Sequence, residues 1–201
     1  MERKIELAES FYARRSVPTR FQICPAAQPL ELDVVLAERG YLVDAPTYVQ
    51  TASIKEVLAH LKANEEDTVV FLHTRLPAEF ADFQQHQYQL SREQAAARYA
   101  AFNRIGPEQV YALAMVAGET AGIGMGILER GWLGIFGMMT HPDMRRRGIA
   151  TAVLLALVRW GQKQGATQTY LQVMENNDKA LALYKRAGFI IRYQYHYRQS
   201  Q

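Results

Sequence analysis

The stretch HPDMRRRGIATAVLLALVRW, residues 141–160, places three consecutive arginines directly before an almost unbroken apolar run. The apolar run predicts a buried helix that begins near Gly148. A helix N-terminus already carries a partial positive charge from its aligned peptide dipoles, so cations are ordinarily unfavourable there. The arrangement therefore indicates that the turn binds an anion.

The residues around Gly148 favour a phosphate-bearing ligand. Gly148 can adopt backbone angles closed to other residues, and Ala150 is small enough to leave the first helical turn open. Unpaired amides at a helix start bind anions, and the neighbouring guanidinium groups add charge-assisted contacts to phosphate. A pyrophosphate at this turn would explain the charge. A solvated basic turn and a short basic patch that contacts nucleic acid are the alternatives.

The turn does not match two well-known phosphate-binding patterns. A P-loop requires GxxxxGK followed by Ser or Thr, whereas the sequence here is RRRGIA. Gly122, Gly124 and Gly126 in AGIGMG imitate a dinucleotide fingerprint, but the residues after them, ILERGW, are typical of a strand. These glycines instead predict a strand against which another element packs closely.

Length and composition limit the class of protein. The chain has 201 residues, 49% of them hydrophobic, which is enough for one sizeable domain or one domain and a fragment. Its 23 basic and 20 acidic residues give a net charge of +3, too small to indicate a general nucleic-acid surface. No segment approaches the roughly 18–20 apolar residues of a membrane span, and the N-terminal residues lack the apolar core of a signal peptide. Cys24 is the single cysteine, so it cannot form a disulfide within the chain. We expect a cytoplasmic protein that binds neither membranes nor nucleic acid.

Hydrophobic periodicity predicts a regular series of elements between residues 65 and 201. Their order is strand, two helices, three strands, helix, strand, helix, strand, which favours an α/β fold with a mixed sheet and helices on both faces. The second helix begins at Ser91, where SREQ resembles a capping box, and the last helix ends at Gly188. The segments are, in chain order, DTVVFLHT, PAEFADFQQHQ, the helix from Ser91 to about Asn103, EQVYALAMVAG, AGIGMGILERG, WLGIFGMMTH, the helix after Gly148, TYLQVME, NDKALALYKRAG and FIIRYQYHYR.

The N-terminal segment predicts a partial repeat of the C-terminal elements. A helix over about residues 3–15, the strand RFQIC, the helix LELDVVLAERG and the strand YLVDAPTYVQ follow the order of the last four elements. LDVVLAERGYLV aligns with LALYKRAGFII, which places Gly40 on Gly188 and Tyr41 on Phe189. The alternative is that any helix ended by glycine before a strand has this pattern.

Two segments give the sequence its resemblance to a known family. Arg145, Gly148 and Ala150 match a signature of Arg or Gln, two residues, Gly, one residue, then Gly or Ala. The segment ENNDKALALYKRAGF carries a second set at the expected spacing, namely Asn177, Ala180, Tyr184, Gly188 and Phe189. Over residues 65–201 the chain resembles the GNAT superfamily of acyl-CoA-dependent N-acyltransferases. The resemblance implies a mostly antiparallel mixed sheet flanked by helices, with residues 65–201 as the catalytic domain and residues 1–55 as a degenerate partial GNAT-like repeat.

The resemblance implies acetyl-CoA as the cofactor and assigns residues to its parts. The backbone of the strand before the turn binds pantetheine or the thioester carbonyl, even if the side chains of that strand are ordinary core residues. Asn177 orders the cofactor arm, Tyr184 contacts the cofactor, and the turn cradles the pyrophosphate. The strand residues are Met138, Met139 and Thr140, and the turn residues are Arg145, Arg146, Arg147, Gly148, Ile149, Ala150 and Thr151.

Tyr184 also occupies the general-acid position of the family. Transfer of an acyl group from a thioester to an amine needs a neutral amine, donors for the developing oxyanion and a proton for the departing thiolate. A phenol with an unperturbed pKa of about 10 is protonated at neutral pH and can supply that proton. An ordinary aromatic packing residue is the alternative role. Leu36 stands at the corresponding position of the N-terminal segment, so we expect that segment to lack this chemistry.

The sequence does not identify a general base. The strand WLGIFGMMT contains no Asp or Glu, although some family members carry a carboxylate there. Glu129, Glu175, His73 and His141 are candidates, as are a water chain and an amine that is already partly neutral. We expect Cys24 to be buried and apolar rather than a nucleophile, since no His and Asn or Asp partners can be placed beside it. The five histidines show no metal-ligand spacing, so we predict no metal.

The resemblance implies an N-acetyltransferase that moves an acetyl group from acetyl-CoA directly to a primary amine of a small molecule or a protein. The alternative is a non-catalytic module that senses acyl-CoA, and a third interpretation has the arginines contact nucleic acid, which the small net charge disfavours. We expect residues 77–106 to shape the acceptor site and the protein to be a monomer or a homodimer. The strand YQYHY would pair with a second chain or, alternatively, face the core. The polar candidates of the acceptor site are Glu79, Asp82, His86 and Tyr88.

Overall fold

The computed structural model describes residues 1–62 and 68–201. The predicted elements occur in the predicted order, with one further helix, α3 (Ile54–His60), between them. Asp67, the first residue of the predicted strand DTVVFLHT, and residue 65, the predicted start of the catalytic domain, lie outside the described residues. A 3₁₀ turn, Pro142–Met144, precedes helix α6. The helices are α1 Glu2–Ala13, α2 Leu32–Glu38, α3 Ile54–His60, α4 Ala78–Tyr88, α5 Arg92–Phe102, α6 Ile149–Lys163 and α7 Asp178–Arg186, and the strands are β1 Arg20–Ile23, β2 Leu42–Ser53, β3 Val69–His73, β4 Glu108–Val116, β5 Glu119–Glu129, β6 Trp132–Thr140, β7 Gln168–Met174 and β8 Ile190–Gln199.

Helix α3 is absent from the elements that periodicity predicts, although its start carries a clear signal. The Ser53 hydroxyl accepts a hydrogen bond from the Glu56 backbone N–H at 3.1 Å, and the Glu56 carboxylate accepts one from the Ser53 backbone N–H, also at 3.1 Å. The capping box predicted at Ser91 is confirmed, because Ser91 and Gln94 exchange equivalent bonds. The two helix starts therefore use the same device.

The strands of the described chain form a mixed, mostly antiparallel sheet in the order β1-β8-β2-β7-β6-β5-β4-β3. Strands β3 to β6 are each antiparallel to the next, β1 is antiparallel to β8, and β7 runs parallel to β6. The predicted α/β class and the meander of three strands are confirmed.

The chain divides into two compact units, and the predicted domain limits at residues 55 and 65 stay a prediction. The larger unit comprises residues 51–171 and 182–190, and the smaller comprises residues 1–50, 172–181 and 191–201.

Strand β5 organises the larger unit because its alternate residues serve opposite faces of the sheet. Ile123 and Met125 belong to a core cluster with Phe80 and Phe83 of α4. The glycines that alternate with these two residues, Gly122 and Gly124, face helix α6. A Cβ built at Gly124 would lie only 2.7 Å from Val153 Cγ1 and 3.1 Å from Leu157 Cδ1, and one built at Gly122 only 2.7 Å from Ile149 Cγ2. The predicted close packing against these glycines is confirmed, and α6 is the element that packs there.

The smaller unit has its own core of Ile5, Leu36 and Tyr41. Asp33 on α2 lies 2.9 Å from His196 Nε2 and accepts a hydrogen bond from Arg198 Nε at 2.7 Å, which lowers the pKa of the carboxyl group. These contacts attach α2 to β8 within this unit.

The expectation that Cys24 is buried is wrong. Cys24 directly follows β1 and is half-buried. Strand β1 has four residues, stands at one end of the strand order, and alternates between exposed and half-buried positions. An edge strand of this length has too few neighbours to enclose a side chain that follows it.

The proposed repeat rests on two helix ends that have the same geometry. Gly40 and Gly188 both adopt left-handed backbone angles, with φ of 84° and 87°. After α2, the Tyr41 N–H donates to Leu36 O at 3.0 Å, and after α7 the Phe189 N–H donates to Tyr184 O at 3.0 Å. Both ends are Schellman motifs, which are common, so the duplication itself stays a prediction.

Substitution of Gly124 by alanine should lower the free energy of unfolding by about 1–3 kcal/mol, because the new methyl group overpacks the contact with α6. Gly106→Ala is the matched control, since a Cβ at Gly106 meets nothing within 4 Å. Urea unfolding of both variants measures the difference. Equal stability of the two variants would contradict the close packing of α6 on β5.

Candidate active site

The arginine turn before α6 has two residues in left-handed backbone angles. Arg146 has φ of 65° and Gly148 has φ of 82°, and Gly148 is the N-cap residue of α6. Alternation of this kind turns successive backbone N–H groups toward one side, where they can bind an anion. Ile149, which is 1% exposed, anchors the first turn of the helix in the core.

The start of α6 leaves its amide groups without the usual side-chain partners. Gly148 supplies no capping side chain, and the first turn contains no acidic residue. The first intrahelical bond runs from the Ala152 N–H to Gly148 O at 3.0 Å, so the amides of residues 149–151 have no acceptor within the helix. The three arginines are exposed, and none forms an ion pair with a carboxylate of the described residues. The turn thus presents amides and guanidinium groups together, as phosphate recognition requires.

Strand β6 carries a bulge next to the turn. Ile123 pairs with Met139 and Met125 pairs with Phe136, so Gly137 and Met138 together oppose Gly124. Gly137 has φ of 58°, as the first residue of a glycine bulge commonly does. A bulge leaves one residue out of the ladder, so backbone groups at this point are free for other partners.

The carboxyl-terminal half of β6 no longer pairs with its parallel neighbour β7, which itself continues to Met174. The ladder between β6 and β7 runs from the pair Trp132 and Gln168 to the pair Ile135 and Leu171, and β6 continues for five residues to Thr140. Met138, Met139 and Thr140, the predicted cofactor-binding residues of this strand, are half-buried in that extension. Their backbone therefore offers a strand edge that an extended ligand arm could pair with.

Tyr184 lies on α7 with its side chain in the core of the larger unit. It is 6% exposed, and its ring packs edge-on against Phe189 with centroids 5.7 Å apart. Burial raises the pKa of Tyr184 to about 12. The phenol is therefore protonated at every physiological pH, which is the state that a proton donor needs. The same burial also fits an aromatic packing residue.

Asn177 caps the start of α7. Its Oδ1 accepts a hydrogen bond from the Ala180 N–H at 3.2 Å. Asn177 and Glu175 both belong to the smaller unit. The Glu175 carboxylate accepts a hydrogen bond from the Tyr48 phenol at 2.8 Å, which raises the pKa of that phenol. Capping explains why an asparagine stands here. A contact of Asn177 with the cofactor stays a prediction.

The other candidate bases differ in their surroundings. His141 is half-buried and follows β6, and its backbone N–H donates to Ala121 O at 2.8 Å. His73 pairs with Tyr111 across β3 and β4, and Glu129 is exposed at the far end of β5 next to Arg130. Of these three, His141 is the one that the chain places beside the arginine turn.

The predicted acceptor residues lie on α4, and all four are exposed; they are Glu79, Asp82, His86 and Tyr88. Sequence reasoning missed Gln84 on the same helix, which is 1% exposed. Phe80, Phe83 and Gln84 follow the i, i+3, i+4 spacing of one helix face. The position of a polar glutamine on this apolar helix face was the signal in the sequence that could have identified Gln84.

Two further properties concern the described residues alone. Among residues 1–62 and 68–201, no three His, Cys, Asp or Glu side chains are arranged to hold a metal ion. The expectation that the protein binds no metal stays a prediction. No helix in this part of the chain has the length and hydropathy needed to cross a membrane.

The profile of the acetyltransferase (GNAT) family matches residues 69–189 of this chain. The uncharacterized N-acetyltransferase YobR of Bacillus subtilis (strain 168) is 26% identical over 191 residues, which are 95% of this chain and 76% of that protein. A solved structure of a GCN5-related N-acetyltransferase from Kribbella flavida matches with a TM-score of 0.71 at 16% identity, over 98% of this chain and 73% of the other. A tandem GNAT protein from the clavulanic acid biosynthesis pathway matches with a TM-score of 0.74 at 14% identity, over 95% of this chain and 66% of the other. Both solved structures share the fold of this chain.

The raised pKa of Tyr184 predicts a specific result in an alkaline titration. Tyrosinate absorbance of the wild type and of Tyr184→Phe should coincide below about pH 11, because the Tyr184 phenol ionises only near its pKa of about 12. An absorbance difference with a midpoint near the ordinary value of about 10 would show that the phenol is in contact with water.

Proposed function

Because the chain belongs to the acetyltransferase (GNAT) family, we propose that it transfers an acetyl group from acetyl-CoA directly to a primary amine of a small molecule or a protein. The observation that carries this proposal is the arginine turn, where the amides at the start of α6 lie beside three exposed guanidinium groups that form no ion pair with any described carboxylate. That combination suits the phosphates of coenzyme A. We assign the pyrophosphate to the residues from Arg145 to Thr151.

The residues of β6 support the same assignment. Met138, Met139 and Thr140 lie beyond the end of the ladder with β7, in the part of β6 that follows Gly137. We propose that their backbone groups bind the pantetheine arm and that the bulge binds the acyl carbonyl. Acetyl-CoA supplies an acyl group activated as a thioester. The amine forms a bond to the acyl carbon as the carbon–sulfur bond breaks; the amine loses one proton and the thiolate gains one.

Tyr184 is the proposed donor of the proton to the thiolate. Its raised pKa keeps the phenol protonated at neutral pH, which is the state in which it can donate a proton. His141 is the candidate base that the chain places beside the turn. An amine that arrives neutral needs no deprotonation before attack, and the proton that it loses after attack passes to the base or to water. We assign Asn177 to the cofactor arm through the end of α7 that it caps.

A second candidate function is a sensor that binds acyl-CoA without turnover. It is favoured by the absence of Asp and Glu from β6, a fact of the sequence. In the sensor, the same turn and bulge would hold the ligand, and Tyr184 would be a packing residue. Turnover of any primary amine excludes it.

We further propose that residues 1–55 are a degenerate copy of the C-terminal elements, supported by the identical helix ends at Gly40 and Gly188. A cytoplasmic location is proposed on the single cysteine, Cys24. The oligomeric state is a monomer or a homodimer.

The test of the proposed function compares catalysis and binding for Tyr184→Phe. With a panel of primary amines and acetyl-CoA, the variant should release CoA thiol at least ~100-fold more slowly than the wild type, because the leaving thiolate loses its acid. The dissociation constant for acetyl-CoA should change less than about twofold. Tyr195→Phe is the matched control, since Tyr195 is also 6% exposed and has no role in the proposed site.

Binding of acetyl-CoA without thiol release for any amine would identify the sensor instead. A full rate in Tyr184→Phe would remove the acid from Tyr184 while leaving acyl transfer intact. No binding of acetyl-CoA by the wild type would contradict the proposed function as a whole.

A further inference from the structure

Gln84 is a polar residue on the buried face of α4. Phe80 and Phe83 on the same face pack into the core of the larger unit, and Gln84 beside them is 1% exposed. Glutamine is rarely enclosed to this degree unless its amide has partners on both sides. The carbonyl oxygen and the NH₂ group of the Gln84 amide have different surroundings.

Arg98 of α5 fixes the direction of the Gln84 amide. The Arg98 Nε–H donates to Gln84 Oε1 at 3.2 Å, and the guanidinium group lies over the rings of Tyr88 and Phe102, 5.0 and 5.5 Å from their centroids. A guanidinium group has donors only, so the carbonyl end of the amide must face it. The NH₂ end consequently points away from Arg98.

The NH₂ group of Gln84 has no hydrogen-bond partner. Its Nε2 is the one fully buried side-chain nitrogen or oxygen of the described residues that lacks one. A Cβ built at Gly137 would lie 3.2 Å from this Nε2, so the group faces the bulge of β6. A buried donor without an acceptor costs free energy, which makes a bound ligand its natural partner.

We propose that Gln84 Nε2 donates a hydrogen bond to the carbonyl oxygen of the acyl group bound at the β6 bulge. This inference rests on the proposed function. The attacking amine uses its lone pair to form the new bond, so it cannot accept from Nε2, and sulfur is a weak acceptor. The carbonyl oxygen is the remaining acceptor of the reacting group, and it gains negative charge during attack. Gln84 is therefore an additional donor for that charge besides the backbone of the bulge.

Isothermal titration of acetyl-CoA and of free CoA tests this role, because only acetyl-CoA carries the carbonyl oxygen. Gln84→Met should weaken acetyl-CoA binding about two- to tenfold and leave CoA binding within about twofold of the wild type, as expected for one hydrogen bond. Methionine fills similar space with an unbranched side chain and has no donor. Gln85→Met, the same change at the next position of α4, should affect neither ligand.

Gln84→Glu is the second variant, since it keeps an acceptor for Arg98 and removes the donor. It should lose the preference for acetyl-CoA at least as strongly as Gln84→Met. Circular dichroism of ligand-free Gln84→Met checks that the variant folds, because the change also removes the acceptor of the Arg98 Nε–H.

The outcomes separate this inference from the proposed function. If the wild type binds both ligands and the Gln84 variants keep the wild-type ratio of the two affinities, the carbonyl contact is wrong and the proposed function stands. Equal weakening of both ligands would also overturn it, since that indicates a general change of the site. If the wild type binds neither ligand, the proposed function fails and this inference fails with it.

Discussion

The contact between Ile149 and Gly122 fixes the place of the arginine turn in the larger unit. Gly122 pairs with Thr140 at the end of β6, and its missing side chain leaves room for Ile149, the first residue of α6. A methyl group at Gly122 would also lie 3.0 Å from Met139 O, so the approach is limited on two sides. The start of α6 is thereby held beside the carboxyl end of β6. The amides at the start of α6 and the end of β6 become neighbours because one position in β5 has no side chain.

Strand β5 contacts a different helix on each face of the sheet. The glycines of β5 admit α6, whose N-terminus suits phosphate, while Ile123 and Met125 build the core under α4. The bulge in β6 lies opposite Gly124 and therefore between these two layers. Gly137 brings the bulge close to Gln84 on one side, and Met138 approaches Gly124 on the other. A single irregularity of the sheet thus lies close to Gln84 of α4 on one face and opposite a glycine that contacts α6 on the other.

The sequence predicted the elements with strong periodicity and clear ends, and it missed features that depend on tertiary neighbours. The capping box at Ser91, the glycine end at Gly188 and the close packing of another element on AGIGMG follow from local chemistry, and all three are confirmed. The bulge at Gly137 arises from the register of two strands and has no unique local pattern. The burial of Gln84 depends on Arg98 and on the sheet below it, and the half-buried state of Cys24 depends on the edge position of β1. The arginine turn was found because it contradicts the expected charge at a helix start, which is a signal that needs no neighbours.

The measurement that tests the account most directly is thermal unfolding with and without acetyl-CoA, for the wild type, Gly148→Glu and Gly165→Glu. A ligand at about 100 times its dissociation constant adds about 2.7 kcal/mol, which should raise the wild-type midpoint by roughly 5–10 °C. Gly165 has φ of 85° and Gly148 has φ of 82°, so both variants carry similar backbone strain. Only Gly148→Glu places a carboxylate at the turn, and it alone should lose the shift. A wild type without a shift, or a Gly148→Glu variant that keeps it, would contradict the binding of acetyl-CoA at the arginine turn.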